Sequence, residues 1–297
     1  MRFRSPGVGL AVALLTLTVV SPAAPATATR DRVVLPTLTS VQAQHVGNVD
    51  RVTFGFSNGL PADIHIEWVD TLPHDGSGHP MRVAGVKVLM VVFNGATAHD
   101  QNGTTIEPRT AYALPNVITS VGAGDFEGTV TFGLGVQKRT SYTVKKLQNP
   151  DRVVVGVQAG FPTSTRSVWL VDSNAVGTGN EPYFVPRSRP IRRDAPATAA
   201  LHALFAGPTR QELASGLRLV RSGAWGFEEL RIADHIATGR LIRGCHSGGS
   251  TITVAGEIAP TLRQFPNVDW VKIYGPGDSG TEQPSGQVDS IPACLEP

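Results

Sequence analysis

Long apolar runs are almost absent from this 297-residue sequence. The one that exists opens it, "MRFRSPGVGLAVALLTLTVVSPAAPATATR": Arg2 and Arg4 precede an apolar run of about 14 residues, and Ala26-Thr27-Ala28 closes it. That pattern predicts a secretory signal peptide over residues 1–28. As a helix the run would span about 21 Å, short of the roughly 30 Å of a bilayer core. No cysteine follows it, which argues against a lipid-anchored cleavage site, and no later stretch is apolar enough to cross a membrane. The expected product is secreted and extracytoplasmic, with no integral membrane segment after signal cleavage.

Charge of one sign is lacking too. The whole chain carries 26 Lys+Arg against 24 Asp+Glu, and residues 1–28 hold two arginines and no acids, leaving 26 − 2 = 24 against 24. A balanced chain has no cationic stripe of the kind nucleic-acid binding requires, so no nucleic acid is expected as a partner. Any ligand contact is expected to weaken only modestly with salt. Cysteine is scarce: Cys245 and Cys294 are the only two. In an exported chain an even pair predicts a disulfide; two unrelated buried thiols are the alternative. Four Trp and four Tyr leave few rings for stacking on sugars, and Trp68, Tyr112, Trp169 and Tyr183 are read chiefly as core.

What is abundant is turn chemistry, with 32 Gly and 22 Pro. Residues 31–158 alternate in short segments, with candidate strands at 50–57, 63–69, 86–93, 127–136 and 151–158 and no helical period, which predicts an all-β, sandwich-like domain over residues 29–160. Within it one phrase occurs twice, "NVDRVTFGF" (48–56) and "NPDRVVVGV" (149–157). Val52, Phe54 and Phe56 on one face match Val153, Val155 and Val157, while Gly55 and Gly156 fall on the opposite face, where a missing side chain lets a backbone or bulge approach. The flanks do not repeat, so this reads as one strand device used twice, compatible with neighbouring strands. A ligand-binding Asp/Arg pair is the alternative.

From about residue 165 the pattern turns to mixed α and β, giving a second, α+β domain over residues 165–297 after a linker at 159–166. "SVWLVDS" (167–173) and "EPYFVPRSR" (181–189) read as strands joined by a turn, "NAVGTGN". "APATAALHALFAGPT" (195–209) has Leu201, Leu204 and Phe205 at helical spacing, Pro196 in the first turn and Gly207-Pro208 as a stop. Thr209 and Glu212 have capping-box spacing. A hairpin is expected over 229–244, a helix over 251–264 and a strand over 268–275, followed by a loop-like tail.

Motifs that imitate catalytic ones do not hold together. "GDSG" (277–280) places Ser279 in a Gly/Pro-rich tail with no ordered His and Asp partners. "GCHSGGS" (244–250) surrounds Ser247 as a nucleophile elbow does, but puts Cys245 where the turn needs glycine. "DIHIEWVDTLPHDGSGHP" gathers His65, Glu67, Asp70, His74, Asp75 and His79, a set able to hold zinc or calcium, yet a solvated edge strand followed by a polar hairpin loop accounts for it without a metal and is the preferred reading. No catalytic residue, metal or cofactor is expected.

"HVGNVDRVTFGF", "GDFEGTVTFGLGV" and "LQNPDRVVVGV" resemble the AMIN-like family of exported actinobacterial proteins over most of 35–158. "PYFVP", "ALHALFAGPTRQEL" and "TLRQFPNVDWVKIYG" resemble the GerMN module of spore-germination and envelope proteins over roughly 165–297. AMIN-type sequences often carry an acid where this chain has Gly156. The resemblance implies non-enzymatic envelope modules: a secreted, cell-wall-associated protein that binds wall polymer (peptidoglycan) or scaffolds an exported protein partner. A hydrolase of wall peptide or glycan is the second reading.

Overall fold

The computed structural model describes residues 34–278 and 283–297, with Met1, Phe3 and Gly7. The signal-peptide expectation for residues 1–28, and Ser279 of "GDSG", lie outside this description. Val34–Pro297 forms one compact unit.

The first region is all β. Its strands are β1 (Thr37–Val46), β2 (Val49–Ser57), β3 (Asp63–Val69), the short β4 (Leu72–Pro73) and β5 (Pro80–Met81), and β6 (Lys87–Asn94). The short β7 (His99–Asp100) and β8 (Gly103–Thr104) follow, then β9 (Arg109–Ala111), β10 (Val117–Phe126), β11 (Thr129–Val136), β12 (Tyr142–Leu147) and β13 (Arg152–Gln158). They form a four-stranded sheet, β1-β2-β13-β12, and a five-stranded sheet, β3-β6-β11-β10-β9. The inward faces share one core: Val52 and Phe54 of β2 and Val153, Val155 and Val157 of β13 are fully buried against Leu89, Val91 and Phe93 of β6 and Phe132 of β11. Phe54 meets Phe93 and Phe132 edge-on at 4.9 and 5.4 Å; such contacts add about 0.5–1.5 kcal/mol each beyond area burial.

The two repeated phrases become β2 and β13, antiparallel neighbours with Val153 opposite Phe54 and Val155 opposite Val52. The glycine reading also has a structural counterpart. The register of β1 against β2 shifts between Leu38 and Ser40, and Gly55 sits opposite Ser40; a Cβ there would lie 2.5 Å from the Ser40 hydroxyl. The missing side chain leaves room for the Ser40 hydroxyl beside the register shift.

The second region holds β14 (Thr163–Asp172), α1 (Ser173–Thr178), β15 (Phe184–Arg192), α2 (Pro196–Ala206), α3 (Arg210–Ala214) and β16 (Leu217–Arg218). Then come β17 (Ala224–Ala233), β18 (Ile236–Arg243), α4 (Val254–Arg263) and β19 (Trp270–Tyr274). Its sheets are β15-β14-β16 and β17-β18-β19, the last pair parallel. Helix α2 buries Leu201, Leu204 and Phe205 among closely packed alanines, and α4 covers β14 and β19 through Val254, Ile258 and Leu262. Thr209 and Glu212 form the expected capping box on α3. Cys245 and Cys294 are disulfide-bonded, their Cα atoms 5.6 Å apart; closing a loop of that length restricts the unfolded chain by about 4 kcal/mol in the entropic account.

Two segments differ from expectation. "NAVGTGN" contains a short helix, because Asp172 accepts hydrogen bonds from the Asn174 and Ala175 amides and Gly179 closes the end in the left-handed conformation. The expected linker narrows to 159–162, since Thr163–Arg166 already pairs with Arg189–Arg192 in β15.

Candidate functional site

The repeated Asp-Arg dipeptide splits across the sheet. Asp50 points inward and is fully buried; its carboxylate accepts from the Asn116 and Val117 amides at 2.6 and 2.8 Å and meets His45 Nδ1 at 2.7 Å. It clamps β2 to β10 of the facing sheet, a structural duty. Asp151 does not repeat it: it stands in the turn before β13, where its carbonyl accepts from the Phe56 amide at 2.9 Å.

The arginines belong to the other face. Antiparallel pairing of two copies of one pattern places Arg51 opposite Gly156 and Arg152 opposite Gly55, an approximate two-fold arrangement about the Thr53–Val154 pair. Each arginine therefore faces bare backbone across the strand and meets no opposing side chain there. The rows continue outward as Gln44, Arg51, Gly156, Thr143 and as Gln42, Thr53, Val154, Lys145. Successive same-face rows lie about 7 Å apart, so Arg51, Lys145 and Arg152 place one cation in each of three rows. They line an open groove of about 620 Å³ whose wall contains no acid. Among the described residues, none of the three makes an ion pair or a side-chain hydrogen bond within the protein.

A larger groove, about 850 Å³, runs where the β-sandwich meets the second region, past Tyr112, Arg189, Thr209 and Glu212. Size alone does not make it the better site. Part of its polar lining is bonded internally: Arg189 is bidentate to Glu212 at 2.8 and 2.6 Å, and Tyr112 is bonded to Ser120 at 2.8 Å. The guanidinium and the capping bonds outweigh burial and hold the Glu212 carboxyl below the usual carboxylate range. The part of this groove around Glu212 is braced by its own bonds and carries an acid, whereas the cationic groove has free donors and no acid.

The carboxylate–histidine stretch disperses. His65 Nε2 lies 3.4 Å from Glu67 on exposed β3, Asp70 pairs with Lys87, and His74 and His79 close a loop through the bond from the His74 amide to the His79 carbonyl at 2.8 Å. Among the described residues no three His, Cys, Asp or Glu side chains converge as metal ligands. Ser247 sits in a turn, its hydroxyl accepting from the Gly249 amide at 3.1 Å, and among the described residues it has no hydrogen bond to a histidine or carboxylate. Trp68, Tyr112, Trp169 and Tyr183 are half-buried. Among the described residues no helix is long and apolar enough to cross a membrane.

Residues 36–159 match the AMIN-like domain family. The AMIN-like stretch thus contains both sheets of the sandwich and the whole cationic groove. One solved structure, the tandem GerMN domains of the sporulation protein GerM from Bacillus subtilis, is similar to the chain at 20% identity and a TM-score of 0.31, with 45% of this chain and 43% of that chain covered. The chain therefore spans less than half the length of that structure. None of the curated proteins compared with it matches. Both families raised by the sequence motifs recur in these findings, AMIN-like as a matched region and GerMN as the domain type of a similar solved structure.

The cations of the groove were within reach of sequence reasoning. Outward alternation in the two Asp-Arg-Val strands puts Arg51 and Arg152 on the glycine face. Lys145 was not, because β12 is a short, mostly polar edge strand with no buried alternation to reveal it.

Proposed function

We propose that this is a non-enzymatic protein of the cell envelope, acting outside the cytoplasm, and that it binds wall polymer along the outer face of the β1-β2-β13-β12 sheet. The observation that carries this reading is the set of three cations without partners among the described residues, Arg51, Lys145 and Arg152, spaced along an acid-free groove of the AMIN-like sandwich. Long cationic side chains over a floor of Thr, Val and Gly suit an extended polymer bearing negative charge at intervals: peptidoglycan with its free carboxylates, or a strand attached to it. The neutral total charge of the chain hides this local excess, so binding is expected to fall steeply between low and physiological salt, contrary to the expectation from composition. On this reading residues 29–160 form the polymer-binding domain and residues 165–297 a second domain that contacts an exported protein partner. The second reading, hydrolysis of wall peptide or glycan, draws no support from the surroundings of Ser247.

Co-sedimentation of the chain lacking residues 1–28 with purified wall sacculi tests this. The double variant Arg51→Ala/Arg152→Ala is expected to lose at least about tenfold in affinity, the factor that 1.4 kcal/mol carries, with its unfolding midpoint little changed. Undiminished sedimentation of a folded double variant would show that polymer binds elsewhere.

A further inference from the structure

The junction between the AMIN-like sandwich and the second region has an apolar centre and a cationic margin. Ala84, Ala111 and Ile118 of the sandwich pack into the core built around α2, and Ala111 forms an isolated parallel bridge with Thr209. Three arginines stand beside this centre: Arg82 two residues before Ala84, Arg109 two before Ala111, and Arg221 in the loop after β16. The Arg109 guanidinium donates to the Arg82 carbonyl. Arg221 donates to the Phe205 carbonyl, in the last turn of α2, at 3.3 Å.

What remains on these three side chains is unusual. Arg82 Nε, Arg109 Nη1 and Arg221 Nε are buried and find no acceptor among the described residues. Among the described residues none of the three arginines forms an ion pair, whereas their neighbour Arg189 is fully matched by Glu212. Burial, followed by mutual repulsion, lowers Arg109 to about 10 with Arg82 and Arg221 both contributing, and lowers Arg221 to about 10 with Arg82 contributing. All three stay protonated at neutral pH. Burial holds the Glu257 carboxyl well above the usual carboxylate range; it acts on Arg221 and on neither Arg82 nor Arg109, and among the described residues it forms no ion pair with any of the three. Uncompensated buried charge is strongly destabilising, and a guanidinium fork fits the oxygens of a phosphate in two-point contacts that a carbonyl does not provide.

We propose that Arg82, Arg109 and Arg221 form an anion site at this junction, which takes a phosphate group and thereby fastens the sandwich to the second region. The group is either free inorganic phosphate or the phosphate of an ester such as a polyol phosphate, both presenting the same oxygens to the three forks. Each arginine is only partly covered as a residue, so part of each side chain is open to solvent, and binding would require the buried nitrogens to turn toward the group. This site is separate from the groove on β2 and β13 and does not depend on the wall-binding reading.

Thermal unfolding of the chain lacking residues 1–28, in chloride and then with inorganic phosphate or glycerol 3-phosphate at constant ionic strength, decides the matter. The midpoint is expected to climb with the logarithm of phosphate concentration, by about 4 °C or more at a hundredfold excess over Kd. Arg109→Met and Arg221→Met should each abolish the climb and, in chloride alone, unfold no earlier than the unaltered chain, because a like charge has been removed. Arg51→Ala/Arg152→Ala should climb as the unaltered chain does, which keeps this result distinct from the groove. The arm with the lower half-saturating concentration names the source of the phosphate. Should the methionine variants not fold, titration calorimetry of the unaltered chain with inorganic phosphate reads the same site, with one equivalent expected. A midpoint indifferent to phosphate, a climb equal in the Arg109 and Arg221 variants, or no heat of binding would overturn the proposal and leave the three arginines as hydrated structural groups.

Discussion

The β-sandwich and the region after it dispose of polar side chains in opposite ways. In the sandwich, strict alternation sends Val52, Phe54, Val153 and Val155 inward and leaves Arg51, Thr53, Arg152 and Val154 on a face that, among the described residues, no other element covers. In the second region the sheet β15-β14-β16 is covered by helices, and polar groups are spent on internal bonds: Arg189 with Glu212, Gln264 with the Ser167 backbone at 2.9 and 2.6 Å, and the Asp172 cap of α1. A half-exposed antiparallel sheet keeps a whole face available for a ligand. A sheet layered with helices has less to offer, and its polar residues mainly hold its own parts together.

The comparison is broken most forcefully at the centre of the sandwich. Phe54 is fully buried and meets Phe93 and Phe132, so Phe54→Ala is expected to cost about 3–5 kcal/mol of stability, read by denaturant unfolding followed by tryptophan fluorescence. If the two regions unfold together, as their membership of one compact unit implies, the whole transition shifts. A transition that splits in two, with one half unmoved, would show that the sandwich stands alone.

How much of this was legible beforehand depends on whether the signal was local. The buried faces of β2 and β13 were readable because apolar residues recur every second position, and α2 because Leu201, Leu204 and Phe205 share a helical face. β1 escaped because its outward positions are Ser and Gln and its inward ones are broken by a bulge opposite Gly55. β10 escaped because Gly122 and Gly124 interrupt its alternation at a second shift of register. The groove was half legible: alternation assigns Arg51 and Arg152 to one face, but only the antiparallel pairing of strands a hundred residues apart sets each against a glycine. Total charge is silent on the groove, since a neutral sum averages an acid-free lining with acids placed elsewhere.

A smaller effect sharpens the contrast from the other side. His202 lies on α2 with its ring 4.9 Å from Phe227, and burial first, then the Arg192 charge, lowers its pKa from the ordinary 6.5 to about 4. The folded state therefore binds a proton less readily than the unfolded chain. Its contribution is constant above pH 6.5 and becomes destabilising as pH falls from 6.5 toward 4. With part of the residue still exposed, a loss of about 1–2 kcal/mol between pH 7 and pH 5 is expected. Unfolding at both pH values, repeated on His202→Gln, checks it: the glutamine variant should flatten this part of the profile, and an equally steep variant would assign the acid sensitivity to other groups.

The smallest expected change in stability tests why Gly156 is a glycine. A Cβ at this position would approach Thr143 Oγ1 to 2.9 Å and Val49 Cγ1 to 3.1 Å. Both are ends of side chains on the exposed face that can turn aside, and alanine loses less conformational freedom on folding than glycine does. Gly156→Ala should therefore alter stability by less than about 1 kcal/mol. At Gly55 the nearest atom, the Ser40 hydroxyl at 2.5 Å, is closer still but is also the end of a side chain that can turn aside. Gly55→Ala should likewise cost little, somewhat more than Gly156→Ala because the approach is closer. Polymer affinity should move the other way, since Gly156 forms part of the groove floor opposite Arg51 and Gly55 is not among the groove residues. A methyl group under Arg51 is expected to weaken sedimentation with wall sacculi by about threefold, a fraction of the 1.4 kcal/mol that a decade requires. Equal losses of affinity in the two alanine variants would mean that the pairing of arginine with glycine serves the fold alone.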